Sequence, residues 1–509
     1  MSANRRTACL LAGLTLVGLS AVILISITAV GRDHSSPRKI LGGIVVDENG
    51  PAAGVKVRIQ GQARFTLTGD DGSYSIQAPT RPATITAWKS GDFIGFVRSD
   101  EQPARISLRQ LPIHDDTDYR WVDPTPGAEK FSCGTCHEAI YDEWRRSAHG
   151  RRGETSRFRD FFLGLGADGN QRGWGLVTQH PEGTEVCASC HDPAPLNKES
   201  SFASDEKRHW GNVHCDFCHK IAGPGGGEVG LAHGRRGLQL LRPNDGQLIF
   251  GPLEDAARRE NAASPFQRDS RLCASCHEGV VFGVRAYTTY SEWQASPDAR
   301  SGVQCQDCHM KPTGQLTNIS PGHGGVERDP ATLANHRFFD HDQRAMLTRC
   351  LKLNLNCAAN ANSVRATATV LASHVGHRVP TGLPDRNLIL IVEAFDVDGR
   401  PLGATSGPIL SSLAGSEWQG KPGKLFAKVL KDWEGRSPAP FWTAASEFDD
   451  SRLEPGKPDS TSFTFPASTA TVRVKLVYRR FWPSVTKAKG WADDAMVVAE
   501  ASKSIIRGK

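Results

Sequence analysis

Short alternating apolar runs mark the first hundred residues of the soluble chain. Runs at 40–46, 55–59, 64–68, 73–77, 84–88 and 104–108 place Val, Ile, Thr and Tyr among polar neighbours. Asp47-Glu48-Asn49-Gly50, Gly69-Asp70-Asp71-Gly72 and Ser90-Gly91 interrupt them as turns. That spacing predicts a small β-sandwich over 37–112. From 115 to 347 the pattern changes. Residues 138–149 and 253–259 fit helical spacing, and much of the rest is Gly, Pro and polar residues. From 348 to 509 strand character returns at 364–372, 387–394, 461–465 and 472–478, with Asp398-Gly399 as a turn, which predicts two sheets packed face to face. The fold class expected is multidomain, with a β-sandwich, a mostly helical or irregular middle and a C-terminal β-sandwich.

A fourth element precedes these. Arg5 and Arg6 stand before residues 8–30, a run of 23 without a charge. It is long enough to span a bilayer, and the preceding positive charges predict that this end stays in the cytoplasm. Residues 1–36 are therefore expected to anchor the chain in the inner membrane, with the remainder in the periplasm. Ala29-Val30-Gly31 leaves a cleaved signal peptide as the alternative.

The chemistry lies in the middle region. Cys-x-x-Cys-His occurs five times, at Cys133/Cys136/His137, Cys187/Cys190/His191, Cys215/Cys218/His219, Cys273/Cys276/His277 and Cys305/Cys308/His309. This is the attachment signature of c-type haem. The two thiols add across the vinyl groups and the His ligates iron from the proximal side. A zinc ribbon would not place a His after every second Cys. Five haem c groups are thus expected, and with so many in one irregular stretch their faces must stand in for a side-chain core. Three of the thirteen cysteines remain. Cys9 reads as a small apolar residue. Cys350 and Cys357 could pair in an oxidising compartment, but residues 351–355 alternate like a strand, which would separate the two by about 20 Å, too far for a bridge.

Twelve histidines lie outside the motifs, more than five sixth positions require. His149 ends a short amphipathic helix, His336 follows the last motif, and His377 opens the C-terminal part. His323 and His233 have glycine neighbours that would let backbone approach a porphyrin. These five are the candidate distal ligands. His214 abuts Cys215 and is too strained to serve its own haem, while His34 and His114 read as bystanders. The formal charge of +6 shrinks toward zero once two propionates per haem are counted, so nothing points to nucleic acid. Tyr478-Arg479-Arg480-Phe481 could dock a partner but reads more simply as a strand end with solvated charges. Trp418, Trp433, Trp442, Trp482 and Trp491 could cover a haem edge.

"CGTCHEAIYDEWRRSAH", "VHCDFCHKIAG", "LCASCHE…YTTYSEWQASPDARSGVQCQDCHMKPTG" and "GHRVPTGLPDRNL" resemble the multihaem cytochrome c-552/4-related family of exported electron carriers. The resemblance implies closely stacked bis-His haems, with His149 and His377 at positions of the family's distal-ligand and GH-x-x-PTG elements. "GGIVVDENGPAAGVKVRIQG…TGDDGSYSI" resembles the carboxypeptidase regulatory-like, transthyretin-type module, whose members are usually spacers or adhesive units. Two function classes follow. One is an electron carrier with redox proteins as partners and no expected small-molecule substrate or catalytic residue. The other is a multihaem oxidoreductase acting on a small nitrogen or sulfur compound at an iron with an open sixth position.

Overall fold

The computed structural model describes residues 39–101, 103–151, 156–181, 185–194, 213–338, 343–443 and 448–506. At the N-terminal end, strand Ile40–Asp47 pairs antiparallel with Gly50–Pro51 and Ser73–Gln77 and parallel with Ala104–Ser107. A second four-stranded sheet runs Phe65–Leu67, Lys56–Ile59, Thr84–Trp88, Gly95–Arg98. Between them lies a core of Val45, Val55, Val57, Ile85 and Ile106, all buried. Strand Gly95–Arg98 escapes the sequence reading because its apolar residues are exposed or half-buried: Phe96 faces solvent.

The C-terminal part is built the same way at larger scale. Leu351–Ala359, Ser363–Ala372 and Asp459–Pro466 form one antiparallel sheet. The other orders Phe448–Asp450, Gly423–Leu430, Asn387–Phe395, Thr471–Arg479 and Met496–Ser504, with Pro401–Leu402 on the flank. Val364, Val370, Leu388, Leu390, Phe463, Val474 and Leu476 interdigitate between the sheets, each fully buried or nearly so. Cys350 ends a helix and Cys357 lies in the strand that follows; both thiols are free.

Among its described residues the middle region holds short α-helices of four to nine residues and three two-stranded ribbons. Helix Glu138–Arg146 ends at Ser147, before His149. The helix expected at 253–259 is replaced by turns, since strands Ile249–Gly251 and Asn261–Ala263 pair in parallel and the intervening chain must cross between them. Glu254 and Asp255 are drawn toward the N-terminal sheets instead, where Glu254 pairs with Lys56 and Arg58 and Asp255 accepts from the Gly61 amide.

The expected fold class needs one correction. No helix among the described residues is long and apolar enough to cross a membrane. The 8–30 run on which the anchor rested lies outside the described residues, and the fold they show is two β parts flanking a haem-motif region. The Tyr478–Phe481 reading is corrected too. Arg479 is buried, lies 4.0 Å from the Trp418 ring and donates to the Ala414 carbonyl and to Glu417. Solvation describes only Arg480, which is exposed just past the end of strand Thr471–Arg479.

Candidate haem centres

Each Cys-x-x-Cys sits on one helical turn, in Cys133–Cys136, Glu185–His191, Cys215–Cys218, Arg271–His277 and Cys305–His309. Residues three apart on a helix share a face, so both thiols of a motif point the same way and the following His ends or just follows the turn. Local capping fixes these turns. His214 accepts from the Phe217 amide at the head of one, and Gln304 with Asp307 forms a reciprocal capping box at another. Glycine lets a second segment close on the Cys187 motif. Gly234 has φ +54°, and a Cβ there would stand 2.0 Å from the Ser189 carbonyl oxygen.

Two proximal histidines are oriented by carbonyls. His137 Nδ1 donates to Ile319 O at 2.7 Å and His219 Nδ1 to Phe250 O at 2.5 Å. That arrangement leaves Nε2 as the bare nitrogen, the one iron takes. Burial lowers the pKa of His191 to about 4 and of His309 to about 3, so both imidazoles are neutral, as a ligand must be.

The candidate distal residues fall at different places. The rings of His149 and His277 lie 6.3 Å apart between centroids, and those of His377 and His309 also 6.3 Å. With metal–nitrogen bonds of about 2.0 Å, two imidazoles on opposite faces of one iron bring their centroids about 6 Å apart. His377 Nδ1 is held by the Arg378 carbonyl at 3.0 Å. His149 is half-buried against Phe338, and its pKa falls to about 4 through desolvation and the neighbouring His277 and His191. The pKa of His336, also half-buried, falls to about 3 through desolvation and then His219 and His137. Its Nδ1 is buried with no partner among the described residues. His323 lies near enough to His137 to lower that residue's pKa. His233 differs: its Nε2 bonds to the Val280 carbonyl at 3.0 Å, leaving only Nδ1, which is buried and partnerless.

Sequence reasoning missed the residues that hold these histidines. Glu143 accepts from the His336 amide at 2.8 Å and from Arg337 at 3.0 Å. Glu292 accepts from the Arg378 amide and the Thr381 hydroxyl and pairs with Arg452 at 2.7 Å. Both were visible only as polar faces of short helices. The buried Nε atoms of Arg151 and Arg159 have no partner among the described residues. A buried guanidinium N–H suits a haem propionate, and with the paired imidazoles these residues fit haem. Trp442, Trp482 and Trp491 do gather in a buried cluster touching Cys187, whereas Trp433 is exposed.

Thiols of different motifs also lie near one another: Cys133 and Cys215, Cys190 and Cys276, and Cys273 and Cys305 each shift the other's pKa. Cys218 lies close enough to Cys276 to feel its charge.

Residues 132–220 match the family model for cytochrome c554 and c-prime, a stretch holding three of the five motifs. Among solved structures, a penta-heme cytochrome c552 from Thermochromatium tepidum shares the fold with a TM-score of 0.56 at 24% identity, over 73% of this chain and 97% of that one. No curated protein matches the chain. Together with the motifs, these likenesses support a multihaem c-type cytochrome, and haem c is covalently bound to the chain.

Proposed function

We propose that this exported chain is an electron carrier with five haems, one on each Cys-x-x-Cys-His motif. The observation that carries the proposal is the nearness of thiols of different motifs, each within reach of the other's charge. Each thiol becomes a thioether at a porphyrin edge, so neighbouring thiols mean neighbouring edges. Electron tunnelling falls exponentially with edge separation, and such nearness favours it. Following these pairs gives an order. The Cys133 haem adjoins the Cys215 haem, which adjoins the Cys273 haem, which adjoins the Cys305 haem. The Cys187 haem branches from the Cys273 haem through Cys190 and Cys276. That the similar structure is a penta-heme cytochrome agrees with the count.

On this reading His149 is the sixth ligand opposite His277, and His377 the one opposite His309. His336 serves the His219 iron and His323 the His137 iron. The four irons so held by two imidazoles have no vacancy for substrate and can only pass electrons; the His191 iron has no sixth ligand assigned among the described residues. Residues 115–347 form the haem domain. We read 37–112 as a carboxypeptidase regulatory-like module, from its sequence pattern and its two four-stranded sheets, and 348–509 as a second β domain that donates His377. The test is the ferric spectrum of His377→Ala, expected to gain one high-spin haem that binds carbon monoxide. An unchanged low-spin spectrum would refute the His377 assignment. A wild-type high-spin haem that binds nitrite or hydroxylamine would put the oxidoreductase reading in its place.

A further inference from the structure

We propose that the N-terminal β module is a positioning device for two haem sites, fixing the two carbonyls that hold His137 and His219. The inference rests on the reading that these histidines ligate iron. It gives the module a part in electron transfer that a spacer or an adhesive unit would not have.

The first contact runs to His219. Phe250 exchanges two hydrogen bonds with that residue: its amide donates to the His219 carbonyl at 2.8 Å and its carbonyl accepts from Nδ1. Phe250 pairs with Ala262 across its two-stranded ribbon. It also packs in one buried cluster with Phe93 and Leu111 of the module, together with Leu248 and Ala262. The module's Ile94 amide donates to the Asn261 carbonyl at 2.9 Å, and Arg109 to the Arg259 carbonyl at 2.7 Å. The ribbon is thus pinned from the module side along its second strand.

The second contact runs to His137. The turn after Lys56–Ile59 presents the Gly61 amide to Asp255 at 2.7 Å. Gly61 has φ +85°, and a Cβ there would stand 3.0 Å from the Glu327 carbonyl oxygen, so only glycine allows this approach. Asp255 is paired with Arg328 at 2.9 Å, both side chains being buried. The Arg328 amide in turn donates to the Thr317 carbonyl, which closes the loop carrying Ile319 and His323. Ile319 O is the acceptor of His137 Nδ1.

A carbonyl bonded to the outer nitrogen of a ligating imidazole raises its basicity and fixes its orientation. More basic imidazole stabilises ferric over ferrous iron and lowers the potential. Loosening either carbonyl should therefore raise the potential of the haem it serves and leave the others alone.

The experiment uses full-length, haem-loaded protein followed by haem-resolved redox titration with paramagnetic resonance. Phe93→Ala is expected to shift one component upward, that of the haem on Cys215 and Cys218. Asp255→Asn is expected to raise the component on Cys133 and Cys136. Glu292→Gln, on the opposite side of the haem region, should leave both unmoved. Arg109→Ala removes the bond to the Arg259 carbonyl and the guanidinium lying 3.7 Å over the Phe93 ring; it should give a smaller upward shift at the Cys215 haem, which keeps the test alive should Phe93→Ala fail to fold. Low-spin haems with unmoved potentials in the Phe93 and Asp255 variants, or a shift spread evenly over every component, would overturn the clamp. Peptide mass spectrometry of the wild type separates the two levels. Absence of haem from Cys133/Cys136 or Cys215/Cys218 would overturn the attachment reading itself.

Discussion

Replacing Glu292 by Ala removes the joint between the C-terminal sheets and the haem region. Its carboxylate pairs with Arg452 at 2.7 Å, the two side chains being 8% and 5% exposed. It also accepts from the Thr288 hydroxyl at 2.6 Å, the Thr381 hydroxyl at 2.8 Å and the Arg378 amide at 3.2 Å. Breaking a buried ion pair by removing one partner costs about 3–5 kcal/mol. Arg452 keeps Asp450 at 2.8 Å, so the ionic loss belongs at or below the bottom of that range. Three donors lose their acceptor, at about 0.5–1.5 kcal/mol each. The expected total is at most about 4–7 kcal/mol, read as a fall in the urea midpoint with little change of slope. The same variant frees Arg378, whose carbonyl holds His377 Nδ1. A fraction of the haem on Cys305 and Cys308 should then turn high-spin, while Glu292→Gln, which keeps an acceptor, should show less of both effects. A loss under about 1 kcal/mol together with a wholly low-spin spectrum would refute the reasoning.

Three further outcomes are expected. Intact mass should exceed that of the chain by five haems, with colour that survives acid-acetone extraction; a smaller increment would mean an idle motif. The redox titration should be broader than one Nernst component and centred mostly below the hydrogen potential, because reduction of one haem raises the cost of reducing its neighbour; one sharp step at strongly positive potential would count against the array. Asp385 gives a pH dependence. Its carboxyl is buried, Oδ1 has no partner among the described residues, and burial raises its pKa to about 7. A raised carboxyl pKa means the folded state keeps a proton that the unfolded state has lost, so stability falls as pH rises from about 4 to about 7. The slope is at most about 1.4 kcal/mol per pH unit. Asp385→Asn should match wild type at pH 4 and exceed it at pH 8 in urea unfolding; parallel pH profiles would refute this.

The parts of the fold legible in sequence were those with a strict local rule. Strands at 40–46, 73–77 and 84–88 come within a residue of Ile40–Asp47, Ser73–Gln77 and Thr84–Trp88, since alternation and turn residues act over a few positions. Gly423–Leu430 and Met496–Ser504 were missed. The first is buried along nearly its whole length, which erases alternation, and the second ends in an exposed polar stretch. The attachment motifs were legible because the haem vinyls impose the spacing. Partners of the histidines were not. His149 meets His277 and His377 meets His309 across 128 and 68 positions (277 minus 149, 377 minus 309), and no local pattern encodes such pairings. Glu143 and Glu292 look like any solvated carboxylate until the chain they hold is seen.

That asymmetry explains why two β parts flank so irregular a centre. A haem domain made of helices of four to nine residues cannot hold its own ligands, because isolated helices this short are unstable in water. Covalent attachment fixes each haem to its own turn but does nothing to align one turn with the next. Alignment must come from structure that is rigid without haem. On one side, Gly61, Phe93 and Ile94 grip the chain that orients His137 and His219. On the other, Arg452 and Asp450 reach Glu292, and Lys428 donates to the Arg285 carbonyl. Lys489 adds a third joint, donating to the carbonyls of Asp160, Leu165 and Gly173 beside the aromatic cluster that touches Cys187. Tunnelling rates depend exponentially on separation, so displacing any of these joints should slow transfer more than it lowers stability. The flanking sheets then set the spacing of the array, and the haems supply the bulk around which the centre folds.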